Sequence, residues 1–182
     1  MSAGALGTYF YARVGVGLGP GGETWHAVVI DEGLCTGVLP RKVEYREIAS
    51  QSTQFPVREW SGWLEESGYS IAVIPVELRT KREQLNLIEN SAVGLASEYD
   101  GYVMSSVPVI ADGYEGRHQL IDTGSIIFDQ YMFVVGQKAI TAKAHYRTGA
   151  RPRRLVEHFL ASFRLNDAEV EHQVSGTETT DR

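Results

Sequence analysis

The chain is poor in cysteine, and it contains no apolar run long enough to cross a bilayer. One of its 182 residues is cysteine, Cys35. A single thiol excludes an internal disulfide, and with it any zinc site built from several cysteines. No neighbouring cation or helix start would activate Cys35, whose flanks in Leu34–Leu39 alternate as a short buried strand does. The five histidines, His26, His118, His145, His158 and His172, are scattered, with no pair at metal-ligand spacing. Positive charge is in deficit. There are 17 Lys and Arg against 23 Asp and Glu, a formal net charge of −6, so non-specific association with nucleic acid is disfavoured. No metal, cofactor or nucleic-acid partner is expected.

Motifs that carry chemistry are also missing. Gly17, Gly19 and Gly22 have G-x-G-x-x-G spacing, but Pro20 interrupts the loop and Thr24–Ile30 is β-rich where the fingerprint needs a helix. The segment Gly15–Gly22 reads instead as a hinge. Gly124-Ser125 does not sit in G-x-S-x-G, so there is no nucleophile elbow. Glu65 and Glu66 are adjacent in a turn, where carboxylates face water.

What is present is an α+β pattern with 43% hydrophobic residues, enough for one domain with its own core. Thr24–Ile30, Leu34–Leu39, Lys42–Ser50, Val57–Leu64 and Tyr69–Val76 read as strands, and Pro75 places the last of these at an edge or at its own end. Thr80-Lys81-Arg82-Glu83 is a capping box, and Leu85, Ile88, Ala92 and Leu95 continue it as an apolar helical stripe. Tyr102–Ile110 is a strand broken late by Pro108, Ala111–Gly116 a loop, and Arg117–Ile121 another strand. Residues 130–165 organise the rest. Tyr131–Val135 is apolar throughout, and Gly136-Gln137 suits a type II′ turn. Ile140, Ala142, Ala144 and Tyr146 then alternate with Thr141, Lys143 and His145. Leu155, Val156, Phe159, Leu160 and Phe163 form one helix face. The domain expected is 24–165. It is preceded by a Gly-rich arm or anchor remnant, 1–23, and followed by an acidic tail, 166–182, without a packed core. In the first segment the order apolar, Tyr9-Phe10-Tyr11, Arg13 resembles the end of a membrane helix, so Ala3–Arg13 is the expected point of any membrane contact.

Tyr102–Val109, Gly113-Tyr114-Glu115-Gly116-Arg117, the strands around Val135-Gly136 and the closing Ser162-Phe163-Arg164-Leu165 resemble the PsbP-like superfamily. That superfamily includes the extrinsic photosystem subunit PsbP and the Ran-binding Mog proteins, and the likeness is nearest to its bacterial branch. The resemblance implies an α/β/α sandwich with a central, mainly antiparallel sheet and two principal helices. It also implies an accessory, assembly or stabilising role without catalysis, a protein partner within a membrane complex, and a place at the cell envelope, membrane-attached, rather than in the cytoplasm.

Two surfaces are candidates for a partner. Arg147, Arg151, Arg153 and Arg154 gather where the last helix begins, and cations there oppose the helix dipole unless an anion or acidic surface matches them. Trp60 and Trp63 lie on opposite faces of one strand, so one can be core while the other meets a partner. The alternative function is a small-ligand or lipid pocket between sheet and helices. A third reading, an enzyme, requires a cleft joining Asp or Glu to His118 or His145.

Overall fold

Alternation along two central strands sorts the molecule into layers. The computed structural model describes residues 13–20, 22–49, 55–150 and 152–166. Its elements in order are β1 (Arg13–Leu18), β2 (Thr24–Ile30), β3 (Cys35–Pro40), β4 (Glu44–Ile48), β5 (Val57–Leu64), β6 (Ser67–Pro75), α1 (Lys81–Glu98), β7 (Tyr102–Ala111), β8 (Tyr114–Asp122), β9 (Ile126–Val135), β10 (Lys138–Arg147), α2 (Arg153–Ser162) and β11 (Arg164–Leu165). A seven-stranded sheet runs β4-β5-β6-β10-β9-β8-β7, and a four-stranded sheet runs β1-β2-β3-β11. Every pairing is antiparallel.

In β9 and β10 successive side chains point to opposite faces. Phe133 and Val135, with Ile140, Ala142, Ala144 and Tyr146, pack on one face against Phe159 and Leu160 of α2 and Trp25, Val28 and Leu39 of the small sheet. Met132, Val134 and Ala139 face the other way against Ile88 of α1, and Phe128 and Ile121 meet Ala92 and Ala96. The β9–β10 turn is tight: Gly136 has φ 57, while Gln137 is not among the positive-φ residues, as a type II′ turn requires.

α1 starts where its capping box puts it. The Glu83 amide donates to Thr80 Oγ1 at 3.2 Å, and the Thr80 amide to Glu83 Oε2 at 2.9 Å. Polar stitches hold it to the sheet. Fully buried Gln119 donates to the Ile88 carbonyl at 3.0 Å and accepts from Gln130 at 2.9 Å, so the buried amides are satisfied rather than costly. On the opposite face the end of α2 acts as a clasp. Ser162 Oγ accepts from the Val38 amide at 3.0 Å, Phe163 and Leu165 are buried, and β11 pairs with β3. Asp31, in a single helical turn after β2, is gripped by Arg58 of β5 and by Lys138 of β10 at 3.1 Å, which fastens the small sheet to the large one.

Two expectations need correction. Arg13–Leu18 is a strand paired with β2, so the segment 1–23 is not an arm throughout, and the hinge expected over Gly15–Gly22 fails for Gly15–Leu18. Ladder hydrogen bonds to β2 offset the entropy of its glycines. The loop expected over 111–116 is only the two-residue turn Asp112-Gly113, with φ 49 and 88, and both flanking strands are correspondingly longer. An Asp-Gly pair is a strong hairpin signal because both positions tolerate positive φ. Of the two alternatives expected for Pro75 the second holds: β6 is central and ends there. Residues 1–12 and 167–182 lie outside the described residues.

Phe159 is fully buried between α2 and the sheet. Truncation F159A is expected to cost about 3–5 kcal/mol of stability, whereas V93A on the exposed side of α1 should stay within about 0.5 kcal/mol of zero. Urea denaturation midpoints measure both, and a loss for F159A no larger than that for V93A would contradict the layering.

Candidate functional site

The arginine cluster does not form one bare cationic field. Arg147 faces Glu66 at 3.5 Å, and Arg153 Nε donates to Glu157 Oε1, one turn along α2, at 2.7 Å. Arg154 is exposed, and Arg151 lies outside the described residues. The helix dipole is thus opposed by cations of which two are already matched within the chain.

The two tryptophans separate as the strand pleat dictates. Trp60 shares the face of Ile71 and is 4% exposed, so it is core, and its expected role in partner binding is withdrawn. Trp63 points to the opposite face and is 53% exposed. There it borders a groove of about 270 Å³ lined by residues of β4, β5, β6, β9 and β10, with Tyr99 from the end of α1. α1 packs on β7, β8 and β9 and stops short of this half of the sheet.

The groove brings together side chains far apart in sequence. Trp63 meets the His145 ring edge-on at 4.9 Å, Phe128 lies 5.9 Å from the same ring, and Tyr99 packs on Phe128 at 5.5 Å. Gly68 leaves room for the imidazole, since a Cβ there would overlap it. His145 Nδ1 is buried without a hydrogen-bond partner among the described residues, and burial together with Lys143 lowers its pKa. Glu59 is 6% exposed and accepts from Arg46 Nε at 2.6 Å. Burial holds the Lys143 ammonium below the ordinary lysine range, and the nearby Glu59 charge only partly offsets this. The sequence reading placed Lys143 and His145 on the face opposite Ile140. It had no means of adding Glu59 and Trp63, because the β5–β6–β10 register that unites them is long-range.

A second cavity, also about 270 Å³, lies between α2 and the sheet. His118 Nε2 and Asp129 Oδ1 are 2.6 Å apart in it, and Tyr131 packs edge-on to the imidazole at 5.0 Å. The remaining lining residues are Tyr146, Arg153, Val156, Glu157, Leu160 and Ala161, with no Ser, Thr or Cys for the pair to activate. Cys35 is buried elsewhere in the core, its thiol pushed up to about 12 by burial and by the Asp31 charge. No group of three or more His, Cys, Asp or Glu among the described residues is placed to hold a metal.

The outer edge of the large sheet was missed. Among the described residues β7 pairs only with β8, and it exposes Tyr102, Met104, Val107 and Ile110 at 60, 52, 46 and 76%. In the ladder Val107 lies opposite His118 and Ile110 opposite Glu115, so apolar groups stand on both faces of an edge. The signal was available in YVMSSVPVI. Apolar residues of both parities with a Pro suit an edge strand, since Pro removes one donor.

Of the three tryptophans, Trp25 and Trp60 are buried and Trp63 is open. Iodide is expected to quench one fluorescence component only, and W63F should remove that component. Equal quenching before and after the substitution would show that the aromatic face is closed.

No protein-family model matches the chain, and neither does the sequence of any curated protein. Among solved structures it is similar to the solution structure of cyanobacterial PsbP (CyanoP) from Synechocystis sp. PCC 6803, with a TM-score of 0.55 and 10% identity, over 91% of this chain and 98% of that chain. The strand order, the antiparallel pairing and the helix on each face of the large sheet therefore constitute a PsbP-like fold.

Proposed function

We propose that the protein is a non-enzymatic accessory subunit that binds another protein along the β7 edge. The observation that carries this reading is the row Tyr102, Met104, Val107 and Ile110 on a ten-residue strand whose outer side has no partner strand among the described residues. An exposed edge with apolar flanks on both faces is what an extended partner segment would cover: backbone groups pair with the edge, and side chains settle on either side. The cavity between α2 and the sheet carries His118 with Asp129 and Arg153 with Glu157 in its lining, and this charged lining favours the edge over a lipid pocket between sheet and helices. Among the described residues no helix is long and apolar enough to cross a membrane. Attachment to a membrane complex at the cell envelope would therefore fall to the partner or to Ala3–Arg13.

The test is site-specific photo-crosslinking in the native host. A photoreactive residue at Ile110 is expected to trap one discrete partner, and one at Lys42, on the far side of the sheet, should not. Adding V107K should lower the crosslinked fraction about tenfold, the effect of roughly 1.4 kcal/mol. Identical products from both positions, or only the chain crosslinked to itself, would overturn the reading.

A further inference from the structure

We propose that the groove beside Trp63 is a binding site for a small organic acid, a carboxylate carried on a flat apolar body, with Lys143 as its counter-ion. The site lies across the sheet from the β7 edge and is independent of it. Lys143 projects from the central strand β10, is half-buried, and makes no hydrogen bond or ion pair among the described residues. Its neighbouring carboxylate, Glu59, is taken up by Arg46 at 2.6 Å. A partly desolvated ammonium without a close partner is costly, and an incoming carboxylate would repay that cost. The ammonium stands 5.8 Å from the Phe128 ring centroid, at the boundary between the polar floor and the aromatic wall.

The rest of the groove fits the apolar body. Trp63 stands on one side of His145 and Phe128 on the other, with Tyr99 behind Phe128. The Ser61 and Ser70 hydroxyls line the floor and can donate to carboxylate oxygens. A volume of about 270 Å³ accommodates a single-ring acid. The charged and titratable groups facing the site are Glu44 and Arg46 of β4, Glu59 of β5, Tyr69 of β6, Lys143 and His145 of β10, and Glu98 of α1 with Tyr99 just after it. The Glu98 charge also favours the Lys143 ammonium, but less than Glu59 does. The ligand is held by the protonated amine, so affinity should fall as pH rises through the Lys143 pKa, which lies below the ordinary lysine value. On the acid side, protonation of His145 adds positive charge and should strengthen binding until the ligand itself is protonated.

The experiment titrates the full chain with benzoate and with its neutral isostere benzamide, read by Trp63 fluorescence and by calorimetry. Benzoate is expected to bind saturably and about tenfold more tightly than benzamide. K143M should abolish that preference and K143R preserve it, while W63F should silence the fluorescence change but leave calorimetric binding detectable. The inference is overturned if benzoate shows no saturable binding, if the wild-type chain binds both compounds alike, or if K143M keeps the preference. The first two outcomes need no variant, so misfolding of K143M cannot mask the result.

Discussion

The structure depends on burying both faces of β9 and β10 at once. With a period of two, one strand pair supplies Phe133, Ile140 and Ala142 to one core and Met132, Val134 and Ala139 to another. A slip of one residue would send each set to the other core, where its side chains do not match the packing, so the register is strongly specified. A sheet with two apolar faces needs two covers. α1 provides one, and α2 with the four-stranded sheet provides the other.

The covers are unequal, and surface chemistry arises where they stop. α1 lies over β7, β8 and β9 and reaches β10 only at Ala139, leaving the same face open around Ser61–Trp63, Gly68–Ser70 and Lys143–His145, and that region carries the groove. In the groove the strands present Ser61, Ser70, Glu59 and Lys143 in place of aliphatic groups, so its floor is polar although Glu59 and Ser70 are themselves buried. At the far edge the pattern reverses: β7 is open yet apolar. Solubility alone does not account for that reversal. Polar fasteners matter for the same reason. The Gln119–Gln130 pair and the Asp31 ion pairs hold covers that area burial would place only approximately.

Much of this was legible in the linear sequence wherever a signal is local. The capping box at Thr80, the alternation of Ile140 with Thr141, the turn at Gly136 and the helix face of Val156, Phe159 and Leu160 each follow from neighbouring residues, and all were found. The Ser162–Leu165 clasp, recognised by resemblance, takes its meaning from β3, more than a hundred residues upstream. Strand Arg13–Leu18 was not found because glycine-rich sequence has weak strand propensity and is held here by its partner β2.

By itself, then, the sequence determined the local elements, the two-faced character of β9 and β10, and the opposite orientations of Trp60 and Trp63, because all of these are set within a few bonds. Only the tertiary structure decided that Trp60 is core and Trp63 surface, that two of the arginines have acidic partners, and that β7 is an edge. It alone joined Glu59, Trp63, Lys143 and His145 in one groove. Those outcomes depend on which strands become neighbours and how far a helix reaches across them, and pairing across eighty residues leaves no periodic trace in the chain.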